Sequence, residues 1–145
     1  KNIKESRILT EEEFNNINNK DDIERIGNFI NNELMNIISN CQFCQTEIAF
    51  TTAKKAKELY SESDSEIDVI LQGVVDLFIK ISDDEAIIVD YKTDYVTSKT
   101  GEDILRERHK EQLIIYKEAV AEYYQLKNIK TYVYSYVLSK LIEVE

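Results

Sequence analysis

Two apolar runs separated by three polar residues constrain this chain more than any other feature. The first is IDVILQGVVDLFIKI, residues 67–81, and the second is EAIIVDYKT, residues 85–93. Both are rich in β-branched residues, and Ser82-Asp83-Asp84 between them is a turn signal, so a β-hairpin is predicted. Each run contains an acid in apolar company: Asp76 lies between Val75 and Leu77, and Asp90 follows Ile87-Ile88-Val89. With the turn centred near residue 83, the two aspartates are equidistant from it and fall nearly opposite each other. A carboxylate in such a place is costly unless it is paired or bound to a metal. Two facing carboxylates repel unless a cation lies between them. Oxygen donors of this kind suit Mg²⁺ or Mn²⁺. Lys92 follows Asp90 by two residues, hence on the same side of the strand. An ammonium there can stabilise charge developing on a phosphate and help place the attacking water.

The rest of the chain frames this hairpin. Thr10 and Glu13 form a capping-box pattern that opens a short helix over 10–18. Asp21 or Asp22 caps a second helix, in which Ile23, Ile26, Phe29, Ile30, Leu34, Ile37 and Ile38 recur at helical spacing, so both helices read as core-packing elements with nothing on them that suggests chemistry. Residues 42–50 read as a strand. TTAKKAKELY continues it irregularly or as a short helix, and SESDSE is a polar turn. After a polar loop over 94–101 comes a long helix, about 102–126. One of its faces carries Leu105, His109, Gln112, Tyr116, Val120 and Tyr123. The run KTYVYSYVLSK, with Tyr132, Tyr134 and Tyr136 on one side, reads as a final strand. The order is ααβββαβ, which gives an α/β or α+β class with a mixed sheet.

Charge bears on what such a site can act upon. Twenty-eight acidic against 18 basic residues leave a net charge of −10, which argues against free-standing nucleic-acid binding. A metal-dependent nuclease nevertheless gathers carboxylates, and bound cations reverse that local charge. DNA can also be delivered by another domain. The 145 residues fit one domain with a real core. No apolar run approaches the roughly 20 residues of a membrane span. The polar N-terminus shows no signal peptide, and a cytoplasmic protein with no membrane partner is expected. The chain does not begin with Met, so a piece of a longer protein is expected. Cys41 and Cys44 are the only cysteines and His109 the only histidine. The pair therefore lacks the other half of a zinc or iron–sulfur site, and reduced, partly buried thiols are expected.

GVVDLFI followed by IIVDYKTD, and then HKEQLIIY over 109–116, is similar to the PD-(D/E)XK nuclease superfamily. Within it, the likeness is to the RecB-like nuclease domain of AddA-type bacterial helicase–nucleases, including the Tyr-x-x-Gln-Leu-x-x-Tyr helix motif. It covers almost the whole chain and is strongest over 71–120. It implies a restriction-endonuclease-like mixed sheet flanked by helices, and a DNA exonuclease of double-strand break repair. It implies Asp76 and Asp90 as metal-binding acids, the Tyr91 carbonyl as a backbone ligand and Lys92 as the catalytic lysine. Gln112 and Tyr116 are implied to order Lys92 or a DNA phosphate, and Glu47 matches an acid on the preceding strand. The implied partners are DNA and an AddB-like protein. ATP would be used only by a helicase part, since this chain has no P-loop. His109 stands where the family has Tyr. A His ligand on an upstream helix is also usual, and no His precedes 109, so weak or absent metal binding is expected.

Plainer readings stand beside these. Asp76 reads also as a structural acid inside a sheet, and Asp90 with Lys92 as a surface ion pair. Gln112 and Tyr116 read also as helix–sheet packing, Glu47 as a solvent-facing residue, and His109 as a polar neighbour of the site. The tyrosine stripe reads as a half-buried sheet face before it reads as a base-stacking platform, and Asp94 as a brace for the loop after Lys92.

Overall fold

The hairpin organises a five-stranded mixed sheet. In the computed structural model, which describes residues 20–97 and 99–144, the strands are β1 (Phe43–Lys55), β2 (Asp68–Lys80), β3 (Glu85–Lys92), β4 (Asn128–Ser135) and β5 (Lys140–Val144). They lie side by side in chain order. Only β3 and β4 are parallel, and the other neighbours are antiparallel. The parallel pair needs a long crossover, and the long helix supplies it. The helices are α1 (Lys20–Ile30), α2 (Glu33–Asn40), the single turn α3 (Ala56–Leu59) and α4 (Gly101–Tyr124).

Helix α4 covers one face of the sheet. Leu113, Tyr116 and Val120 pack there with Val75, Phe78, Ile88, Ile129 and Val133. The other face is covered by α2 and the end of α1. Leu34 is fully buried there with Leu77, Ile79, Ile87, Val89 and Tyr134, and Phe29, Ile37 and Ile38 pack around them.

The α+β class and mixed sheet agree with the sequence reading, while several details differ. The helix predicted from residue 21 through Ile38 is two helices. Asn31 Nδ2 donates back to the Gly27 carbonyl, 2.9 Å. Asn32 is extended and its side chain accepts the Leu34 N–H at 3.1 Å, so local asparagine chemistry restarts the helix. Ile23, Ile26 and Ile30 are exposed rather than in the core. The last run is a strand and a turn, with a fifth strand that periodicity did not separate. Tyr123 is 79% exposed, and its neighbour Tyr124 continues the packed face of α4 instead, stacked on Phe78 with ring centroids 4.6 Å apart. The helix expected over 10–18 lies outside the described residues.

Candidate active site

The site is built where β2 and β3 part. Their ladder runs only from Lys80↔Ala86 to Leu77↔Val89. One position further on, Asp76 replaces the missing ladder bond with its side chain. Its Oδ2 accepts the Tyr91 N–H at 2.8 Å. The carboxylate is thus fixed to the strand that carries Asp90 and Lys92.

A second distortion explains why β2 turns away here. On β1, Cys44 packs on the α2 face, whereas Ile48 and Phe50 pack on the α4 face. On β2, Leu77 and Ile79 are on the α2 face and Val75 is on the α4 face. Residues of one parity should share a face, so both strands switch sides between these points. The switch falls at Glu47 and Asp76, the one position missing from an otherwise continuous β1–β2 register. Glu47 has φ 54°, in the left-handed region that costs a non-glycine residue about 1–2 kcal/mol. Sequence periodicity gave no sign of this.

Beyond the fork, four side chains form a relay. Asp90 is 2% exposed. Lys92 Nζ lies 2.6 Å from Asp90 Oδ2, a charge contact without the alignment of a hydrogen bond. Lys92 Nζ donates to Gln112 Oε1 at 3.1 Å. Gln112 Nε2 in turn donates to the Tyr116 hydroxyl at 2.7 Å. Gln112 and Tyr116 are four apart on α4, so one helix face presents both. Burial holds the Asp90 carboxyl above the usual carboxylate range, and Lys92 offsets this only partly; Asp76 adds to the rise. Burial also raises the Tyr116 phenol, against the Gln112 hydrogen bond. It pushes Tyr91 up to about 12, with Cys44 and Asp76 adding to it.

The loop after β3 is tied to the same helix. Asp94 pairs with Arg108 and lies 3.4 Å from His109 Nε2. Arg108 holds the Asp94 carboxyl low, while burial, then the Lys92 charge, depresses the His109 imidazole. The brace at Asp94 was legible in the sequence, but Arg108 was not singled out. Its only signal was a cation one position before His109. Glu47 stays outside the relay, exposed on the strand before the hairpin. Cys41 and Cys44 are free thiols, both partly buried.

The donors present fit a hard divalent cation. Asp90 Oδ2 is buried with the Lys92 ammonium 2.6 Å away as its charge partner, and among the described residues Asp76 accepts through Oδ2. Mg²⁺ commonly takes one or two carboxylates and keeps its remaining waters. Among the described residues no three His, Cys, Asp or Glu side chains converge, so within them Asp76 and Asp90 are the carboxylates at hand.

This arrangement has a counterpart among known families. The PD-(D/E)XK nuclease superfamily matches residues 4–141. The chain belongs to that superfamily. The A subunits of bacterial ATP-dependent helicase/nucleases are similar to it over almost its full length. The one from Clostridium botulinum (strain Alaska E43 / Type E3) is 32% identical over 141 residues, 95% of this chain and 11% of the relative. Those from Thermoanaerobacter sp. (strain X514) and Listeria welshimeri serovar 6b are 27% and 30% identical, over 99% and 91% of this chain. The chain spans about a tenth of the length of these relatives, 11% in each case. The restriction-endonuclease-like fold and the AddA likeness drawn from GVVD, DYKTD and QLIIY agree with both findings.

Proposed function

We propose that this chain is one nuclease domain of an AddA-type bacterial helicase–nuclease and hydrolyses DNA phosphodiesters with Mg²⁺ or Mn²⁺. The observation that carries the reading is the relay Asp90–Lys92–Gln112–Tyr116 beside an Asp76 fastened to Tyr91 N–H. Asp76, Asp90 and the Tyr91 carbonyl would hold the cation. When bound, it polarises the phosphate and lowers the pKa of a coordinated water.

Lys92 has the part of electrostatic stabiliser. Its ammonium is mostly buried and aimed by Gln112, so little reorganisation is needed when negative charge grows on a non-bridging phosphate oxygen. Gln112 and Tyr116 position Lys92. Water oxygen attacks phosphorus in line and gives up one proton to solvent, the opposite P–O bond breaks, and the departing alkoxide takes a proton from solvent, so one water is consumed and no net proton is needed at the bond. No covalent intermediate is involved. The parent protein would act in double-strand break repair and recombination in the cytoplasm, with an AddB-like partner protein and with ATP used by its helicase part. Among the described residues no helix is long and apolar enough to cross a membrane.

The two-carboxylate supply favours a second reading, a catalytically incomplete module that only channels DNA or holds a partner protein. Incubation of this chain, and of a form extended upstream by a His-bearing helix, with end-labelled single-stranded DNA and Mg²⁺ or Mn²⁺ separates the two. Cleavage that disappears in Asp90→Ala and falls about 10²- to 10³-fold in Lys92→Ala, as for loss of one stabilising donor, supports the enzyme. A folded, extended form that cuts nothing leaves the second reading.

A further inference from the structure

Ile88, Asp90 and Lys92 of β3 point to one side of the sheet, the side that α4 covers. Ile88 lies in the apolar core with Leu113 and Tyr116 of the helix. Beyond it the residues of β3 on that side are charged, so apolar packing no longer fixes the distance between strand and helix. Polar links take over. One is Lys92 to Gln112, at 3.1 Å. The other is Asp94, two residues past Lys92, whose carboxylate reaches two consecutive residues of α4. Asp94 Oδ1 accepts from Arg108 Nη1, and Oδ2 lies 3.4 Å from His109 Nε2. His109 and Gln112 are three apart, hence neighbours on the helix surface.

This clasp exceeds what the loop needs in order to fold. The loop is already fastened on either side of Asp94. The Lys92 carbonyl accepts the Tyr136 N–H at 2.9 Å, and Val96 is buried with Leu105 and Ile142. His109 is also a costly residue to enclose. Its side chain is 12% exposed, and Nε2 is buried with no aligned partner, where an apolar side chain would leave nothing unpaired. Burial, then the Lys92 charge, keeps the imidazole uncharged at neutral pH. It can therefore stand beside Lys92 without repelling it, while Arg108, half in solvent, supplies the charge that holds Asp94.

We infer that Asp94, clasped by Arg108 and His109, is a positioning residue for phosphodiester cleavage: it sets the end of β3 against α4 so that Gln112 meets Lys92 and the ammonium points at the scissile phosphate. The inference rests on the nuclease reading and gives His109 and Arg108 a task within it.

The test has one readout that needs no activity. In nitrogen-15 NMR of the full chain, Asp94→Ala is expected to shift the side-chain amide of Gln112, whose place Lys92 and Tyr116 define. Asp94→Asn, which keeps an acceptor for Arg108, should leave that amide near its parent position. Kinetics on single-stranded DNA with Mg²⁺, using this chain or its upstream-extended form, supply the second readout. Asp94→Ala should lower kcat about 10- to 10²-fold with KM little changed, as for a misplaced catalytic group, and Asp94→Asn should recover most of the loss. In a Gln112→Ala background Asp94→Ala should lose nothing further, because both act through the same ammonium. His109→Leu, which keeps the packing and drops the nitrogen, should also slow turnover, and His109→Gln should slow it less; a packing role predicts the opposite order. If circular dichroism shows Asp94→Ala unfolded, the His109 pair decides. An unmoved Gln112 amide in Asp94→Ala, losses that add in the double variant, or the packing order at His109 overturns the positioning and leaves the nuclease reading standing. A folded parent that cuts nothing in either form overturns the nuclease reading and the positioning with it.

Discussion

On the turn side of Asp76, strand β2 pairs with β1 and β3 together, and helices cover both of its faces. On the far side it pairs with β1 alone. There Ile70 is 69% exposed and Val74 45%, whereas Leu77, Phe78 and Ile79 are at 2% or below. The first half is a root and the second an arm. The proposed site lies at their junction, so its carboxylates take their rigidity from the root. The arm returns over α4, where Phe50 meets Tyr116 edge to face at 5.4 Å and Lys54 pairs with Glu118.

Truncation should separate the halves most strongly. Phe78→Ala in the root is expected to cost about 3–5 kcal/mol. Ile70→Ala in the arm should stay within about 0.5 kcal/mol. Urea unfolding of both variants checks this, and equal losses would erase the distinction.

Gly73 tests whether the arm reaches the site. A Cβ there would stand 2.7 Å from Phe50 Cε1 and Cζ, and 3.2 Å from Tyr116 Cε1. Gly73→Ala is expected to cost about 1–3 kcal/mol, as overpacking does. It should also slow DNA cleavage by shifting Tyr116 from Gln112. Unchanged turnover in a destabilised Gly73→Ala would mean that the arm supports the fold only.

A smaller gain is expected from Glu47→Gly, which removes the left-handed strain at the junction. It should stabilise by about 1 kcal/mol, read as a rise in the unfolding midpoint.

Asp90→Asn probes the root's own acid, by pH rather than by size. The carboxyl's folded-state pKa is raised, so its contribution to stability is present below the unfolded pKa and lost as pH rises through the folded one. The amide has no such loss. The variant should therefore exceed the parent in stability at neutral pH, and the gap should close on the acid side of the carboxylate range. A gap that widens as pH falls would reverse the assignment.

The hairpin, its two acids and Lys92 were legible because they ride on period-two strands around a short turn. Gln112 and Tyr116 were legible because one helix face carries both. What stayed hidden came from non-periodic causes. Asn31 and Asn32 divided a continuous apolar pattern, since side-chain hydrogen bonds compete with helix propagation. The switch of faces at Glu47 and Asp76 leaves residue spacing untouched, so alternation extrapolated along β1 assigns half of the strand to the wrong side. Burial of Ile23, Ile26 and Ile30 was inferred from spacing alone, which marks a face without supplying what covers it.

The left-handed residue on β1 has a consequence for solubility. β1 is 13 residues long and is an outer strand of the sheet, the kind of open edge on which another chain can add a strand. Glu47 bends that edge and places an exposed charge there, so an incoming strand would meet two short segments whose faces do not match. The same break that lets β2 leave β3 also protects the edge from intermolecular pairing.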